Sequence, residues 1–123
     1  MKKILLIGTG GTIASRQLGE GLSPALSAPE LLRYVPDVRS FCEVDVLQLC
    51  NIDSTNMEPS IWCALAAAIR EHYDRYDGFV VTHGTDTMAY TSAALSYMVQ
   101  NSRKPIVITG SQKPIDTDGT DAK

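Results

Sequence analysis

Lys3-Ile4-Leu5-Leu6-Ile7-Gly8-Thr9-Gly10-Gly11-Thr12 runs an unbroken aliphatic stretch straight into a turn of glycine and threonine. Apolar residues without polar alternation fit a strand buried on both faces, as in a parallel sheet covered by helices. The same construction recurs at Phe79-Val80-Val81-Thr82-His83-Gly84-Thr85-Asp86-Thr87, where an apolar strand ends in a turn bearing hydroxyls and a carboxylate. In an open parallel sheet the ligand crevice lies outside the C-terminal ends of the strands. Both turns are therefore expected at one crevice.

Outward from these two stretches, strand and helix alternate. The first strand spans Lys3–Ile7, with a glycine loop over Thr9–Ala14. Residues 15–27 are polar, carry Gly19, Gly21 and Pro24, and show no period, so a mobile loop long enough to act as a lid is expected there. Ala28–Tyr34 reads as a short helix with Pro29 in its first turn. Val44–Leu49 is a second strand, and Asn51–Asn56 a polar turn. A helix starts near Pro59, with Ile61, Leu65, Ile69 and Tyr73 at i, i+4 spacing. Phe79–Thr82 is the third strand. Asp86 is placed to cap a helix over Thr87–Gln100, with the stripe Met88, Thr91, Leu95 and Met98. Ile106–Ile108 is the fourth strand, and Gly110–Lys123 reads as a loop-like tail. The pattern predicts an α/β fold: a mostly parallel sheet flanked by helices on both faces.

The chain has 123 residues, enough for one domain with a real core, and its 44% hydrophobic and 20% charged content is that of a globular protein. A net charge of -3 without a Lys/Arg stripe argues against nucleic acid as a partner. No stretch approaches membrane-spanning length, and the short apolar run behind Met1-Lys2-Lys3 is not a signal peptide, so no membrane association and a cytoplasmic location are expected. Cys42, Cys50 and Cys63 are odd in number and lack a C-x-x-C pair, which reads as reduced thiols used as small apolar fillers. No His/Cys/Asp/Glu grouping has metal-ligand spacing, so no metal is expected.

The turns carry the chemistry. Gly10 and Gly11 allow close approach of a ligand, and their N–H groups could serve as an oxyanion hole beside the Thr12 hydroxyl. Thr9 and Thr12 could equally do no more than satisfy backbone groups in a turn. A threonine hydroxyl is a poor nucleophile until a base takes its proton. His83 is the obvious candidate, yet its place between a strand and a glycine fits a supporting role as well. The residues themselves supply no convincing base for Thr12. Hydroxyls at Thr12 and Thr85 with the carboxylate of Asp86 suggest acyl transfer. A competing reading takes Gly8-x-Gly10 as the start of a dinucleotide fingerprint, with Glu30 where a ribose-binding acid could sit. The third glycine position is Ile13, which breaks the motif.

At these residues the chain resembles the bacterial-type L-asparaginases, and among them the cytoplasmic type I branch. Thr9-Gly10-Gly11-Thr12-Ile13-Ala14 matches one family signature and His83-Gly84-Thr85-Asp86-Thr87-Met88-Ala89-Tyr90 a second. Val107–Gln112 and Asp121-Ala122 fall where the family has a further strand and loop. The match spans the chain as the first part of the family's large domain, without the small C-terminal domain. The resemblance implies hydrolysis of L-asparagine to L-aspartate and ammonia without a cofactor, in a homodimer or homotetramer. It implies Thr12 as the nucleophile forming a β-acyl-enzyme, Thr85 as a helper in the second step, and Asp86 on the substrate α-amino group. Ser54 and Thr55 match the turn that holds the α-carboxylate, and Gly11 is carried over as substrate-binding.

Two departures matter. The family usually has a tyrosine on its flexible loop, and alignment on Gly21 and Pro24 puts Leu22 there. The family's catalytic lysine lies beyond Lys123, which belongs to the Asp-Ala-Lys tail and is a different residue. The 123-residue chain is therefore expected to be inactive alone. A related amidase acting on glutamine or on a Gln/Glu-linked tRNA substrate is the nearest alternative, disfavoured because the tRNA amidotransferase relatives carry an extra module before the first strand. A non-catalytic nucleotide-binding α/β domain is the alternative from another class.

Overall fold

In a computed structural model, residues 1–18 and 21–123 are described. Among the described residues, six strands and three α-helices follow in the order β1 (Lys2–Gly10), β2 (Ser15–Leu18), β3 (Gly21–Pro24), α1 (Ala28–Leu31), β4 (Cys42–Ile52), α2 (Pro59–His72), β5 (Gly78–Thr82), α3 (Met88–Met98) and β6 (Ile106–Thr109). The main sheet has the order β4-β1-β5-β6, and all three pairings are parallel. The expected α/β architecture is therefore the observed one.

The aliphatic runs are continuous because both faces of the sheet are covered. Leu5 and Ile7 of β1 and Phe79 and Val81 of β5 point into a core with Leu65, Ala66 and Ile69 of α2 and Leu95 of α3. Leu6 of β1 points the other way, to Ala28 of α1 and Leu32, with Val44, Val46 and Val80 packed around them. Each fully buried aliphatic or aromatic side chain contributes about 1.5–3 kcal/mol. On this second face the cover is thin: α1 has four residues, extended by 3₁₀ turns over Leu32–Tyr34 and Pro36–Ser40. An apolar groove of about 370 Å³ remains, lined by Leu6, Val44, Val80 and Val107 among others.

Three expectations are corrected. Residues 15–27 are not a featureless loop: β2 and β3 pair antiparallel, Ser15 opposite Pro24 and Gln17 opposite Leu22. Gly19, expected within that loop, lies outside the described residues. The first and second strands run on into the turns, so Thr9 and Gly10 belong to β1 and Asn51 and Ile52 to β4. The cap of α3 is Thr87 and not Asp86, and no side chain bonds the free N–H groups of that helix end. The Thr87 hydroxyl instead donates to Ser54 O at 2.7 Å, tying α3 to the turn after β4.

Candidate active site

The site forms where three strands end. Between Gly8 and Gly10 the register of β1 against β4 slips, so that Gly8 faces Gln48 and Gly10 faces Ile52. Such a bulge bends the strand and re-aims the residues beyond it. Gly11 then adopts φ 83°, ψ -179°, a conformation open essentially to glycine alone. It lies flat against the turn after β5: a Cβ on Gly11 would sit 2.4 Å from Gly84 N and 2.5 Å from Gly84 Cα. Gly84 in turn is pressed on the turn after β4, where its own Cβ would meet Ser54 Oγ at 2.6 Å. Two missing side chains thus let three turns close on one another.

The result is a cavity of about 130 Å³ lined by Gly11, Thr12, Ser15, Leu22, Asp53, Ser54, Gly84, Thr85 and Asp86. Of the candidate residues, Thr12, Thr85, Asp86, Gly11 and Ser54 are brought together there. Thr55 is not: it is exposed, and both its N–H (2.9 Å) and its hydroxyl (3.0 Å) donate to Asp53 Oδ1. Leu22, at the position of the usual tyrosine, lines the cavity from β3 while 52% exposed.

Residues 54–56 form a 3₁₀ turn started by the Asp53 carboxylate. Asp53 is a lining residue that the sequence pattern did not single out. Its signal was an Asp ahead of Ser-Thr-Asn, an Asx-type turn start that looks the same with or without a site. Ser15 was missed for a similar reason, being assigned to the loop. It is buried, and its hydroxyl donates to Gly11 O at 2.9 Å.

Several expected roles change. The Gly11 N–H donates to Ile52 O at 3.0 Å, so it holds the turn together and is not an oxyanion donor. Thr9 is fully buried and its hydroxyl donates to Thr82 O at 2.6 Å, which makes it a structural pin. His83 is fully buried and does not line the cavity. Its Nδ1 lies 2.6 Å from Gly84 O and its Nε2 2.8 Å from Thr91 Oγ1. It is not a base within reach of Thr12. Lys123 stands over the Tyr34 ring, away from the cavity lining. Among the described lining residues there are two carboxylates, Asp53 and Asp86, and no basic side chain.

The dinucleotide reading fails on geometry. The β1 turn leads into a three-residue 3₁₀ turn, Thr12–Ala14, and then into β2. A pyrophosphate needs the N-terminus of a real helix there. The cavity is also well below the roughly 300–1,000 Å³ of drug-sized ligand sites. Among the described residues no helix is long and apolar enough to cross a membrane. None of their His, Cys, Asp and Glu side chains group in a way that could hold a metal ion.

Residues 3–123 match the family described as Asparaginase, N-terminal. The chain is 45% identical over 121 residues to an L-asparaginase of Thermococcus kodakarensis, covering 98% of this chain and 37% of that protein. It is 40% identical over 123 residues to a glutamyl-tRNA(Gln) amidotransferase subunit of Metallosphaera sedula, covering 98% of this chain and 28% of that one. Among solved structures, the probable cytoplasmic L-asparaginase of Campylobacter jejuni superposes with a TM-score of 0.88 at 36% identity, over 99% of this chain and 36% of that chain. The chain thus spans about a third of the length of the relatives it matches.

Proposed function

Since the chain belongs to the asparaginase family, we propose that it carries the threonine half of an amidohydrolase site that converts L-asparagine to L-aspartate and ammonia. The observation that carries this reading is the convergence of Thr12, Thr85, Asp86, Gly11 and Ser54 on one small cavity. Its volume of about 130 Å³ suits an amino-acid amide better than a nucleotide. Its two carboxylates, with no basic side chain among the described lining residues, suit a substrate that presents an ammonium group.

In the proposed reaction the Thr12 oxygen adds to the carbonyl carbon of the side-chain amide. The hydroxyl proton passes to a base, and on collapse the C–N bond breaks and ammonia leaves with that proton. Water then adds to the acyl carbon, the bond to the Thr12 oxygen breaks, the proton that water gives up returns through the base to that oxygen, and aspartate is released. Thr85 assists the water step, and Asp86 holds the substrate ammonium. Ser54, which lines the cavity, would hold the α-carboxylate. Thr55, turned outward onto Asp53, does so only through its turn. The resemblance puts the lysine base beyond Lys123, in keeping with the absence of any basic side chain among the described lining residues. We therefore propose that the 123-residue chain alone does not turn over asparagine.

The test uses a polypeptide of the relatives' full length. Thr12→Val removes the hydroxyl at nearly constant volume. It is expected to lower kcat by roughly 10⁴-fold or more, as for other nucleophiles acting within a unit. A loss below about tenfold would remove Thr12 from the nucleophile's role. A second reading, an amide donor within a tRNA-linked amidotransferase, is favoured by the 40% identity to the Metallosphaera sedula protein. Comparing kcat/KM for free asparagine and free glutamine with transfer to charged tRNA separates the two.

A further inference from the structure

A hydrogen-bond chain runs beneath the Gly84-Thr85-Asp86 turn, from the partly buried Trp62 on α2 through Thr91 on α3 to His83 and the Gly84 carbonyl. Each step has one direction. The indole Nε1–H of Trp62 can only donate, and it lies 2.8 Å from Thr91 Oγ1. The Gly84 carbonyl can only accept, and it lies 2.6 Å from His83 Nδ1, so Nδ1 carries a proton. Between them, the Thr91 hydroxyl accepts from Trp62 and has its own proton free for His83 Nε2, 2.8 Å away. One ring proton, on Nδ1, then satisfies every donor and acceptor in the chain. His83 and Thr91 are both fully buried, so a misdirected proton would leave a polar atom unpaired at real cost.

The end of that chain is a peptide group at the cavity. In a trans peptide the C=O and the following N–H point in opposite directions. The Gly84 carbonyl is turned down onto His83. The Thr85 N–H is therefore turned away from the ring, and Gly84 and Thr85 line the cavity whereas His83 does not. A flipped peptide would put a carbonyl oxygen on the side away from the ring in place of a donor.

We infer that His83 is a positioning residue: as the Nδ1–H tautomer, fixed by Thr91 and Trp62, it locks the Gly84–Thr85 peptide with its N–H toward the cavity. The inference rests on the amidohydrolase reading only for its kinetic consequence. There, the Thr85 N–H would face the oxygen on which charge develops when Thr12 adds to the amide.

The experiment has a spectroscopic and a kinetic arm. The chain has two histidines, His72 and His83, so ¹⁵N spectra of imidazole-labelled protein are simple to assign with a His72→Gln control. The expected His83 spectrum has a pyrrole-type Nδ1 and a pyridine-type Nε2; the opposite tautomer overturns the inference. His83→Asn keeps an N–H donor near the Nδ1 position, whereas His83→Gln offers one only near Nε2. The Thr85 amide resonance should stay close to its parent position in the Asn variant and move in the Gln variant. In a polypeptide of the relatives' length, the Gln variant should lose about 10²–10³-fold in kcat, the usual effect of losing one oxyanion donor. Its KM should move less than about threefold, and the Asn variant should recover to within about tenfold of the parent. Equal impairment of the two variants, with Thr85 shifted in both, overturns the inference. If the parent itself hydrolyses no amide, the amidohydrolase reading falls, and the tautomer and the Thr85 resonance still decide the role of His83. Where the Gln variant does not fold, Thr91→Val serves: loss of a single Nδ1–H tautomer supports the relay, and an unchanged His83 spectrum overturns it.

Discussion

Replacing Gly11 by alanine tests the closure of the three turns. The new Cβ would lie 2.4 Å from Gly84 N and 2.5 Å from Gly84 Cα, both backbone atoms, while ordinary contact begins near 3.4 Å. Neither can swing aside as a side-chain tip could, so the two turns must part by about 1 Å. Two costs add. The backbone at φ 83°, ψ -179° is strained for any L side chain by about 1–3 kcal/mol. Forcing a methyl into a packed contact costs about 1–3 kcal/mol more. A loss near 4 kcal/mol, against a total stability of about 5–15 kcal/mol, shifts a urea midpoint by about 2 M at a slope of about 2 kcal/mol/M. Gly119→Ala is the internal control: Gly119 has φ 68° with nothing within 4 Å of the added carbon, so only the strain of about 1–2 kcal/mol applies. Urea unfolding followed by Trp62 fluorescence measures both. Equal midpoint shifts for the two variants would refute the contact between the β1 and β5 turns, and with it the shared cavity.

Charge and burial set two further outcomes. The Asp77 carboxyl is held below the usual range by the Lys3 N–H, Glu30 by the Ser27 N–H and hydroxyl, and Asp121 by the N–H groups of Gln112 and Lys113. A folded-state value depressed below the unfolded value of about 4 means that the stabilisation is complete above that pH and is lost as pH falls through the lower, folded value. Urea midpoints should be level between about pH 7 and 5 and fall below about pH 4, less steeply in Asp77→Asn; a level profile to pH 3 would contradict these contacts. Of the three thiols, Cys63 is exposed and Cys42 buried, while burial pushes the Cys50 thiol up. A disulfide reagent should modify Cys63 quickly in the native protein, the half-buried Cys50 more slowly and Cys42 only on unfolding; fast modification of Cys42 would mean that the α1 face opens.

The sheet was legible in the sequence because its signal is local. Leu5, Leu6 and Ile7 must face opposite layers in turn, and a continuous aliphatic run says so without reference to anything distant. The turn residues were legible as a group for a related reason: each lies directly after such a run, and parallel strands bring those ends together. The features that could not be read depend on partners far along the chain. His83 looked like a base until Thr91, itself held by Trp62 from another helix, engaged its ring. The Gly11 N–H looked free until Ile52, in a strand that ran further than its apolar core, accepted it. Thr55 and Ser54 are neighbours with the same chemistry, and only the 3₁₀ turn begun by Asp53 puts one inside and the other out. The β2–β3 pair escaped notice because Gly21-Leu22-Ser23-Pro24 has neither alternation nor a β-rich composition; its pairing with Ser15–Leu18 gives it form.

The central claim is that the Thr12 oxygen carries the acyl group. Rapid acid quenching of a polypeptide of the relatives' length during asparagine turnover, followed by peptide mapping by mass spectrometry, tests it directly. An aspartyl ester is expected on the peptide containing Thr12, absent from the Thr12→Val variant. Turnover at full rate with no adduct on Thr12, or an adduct on another side chain, would contradict it.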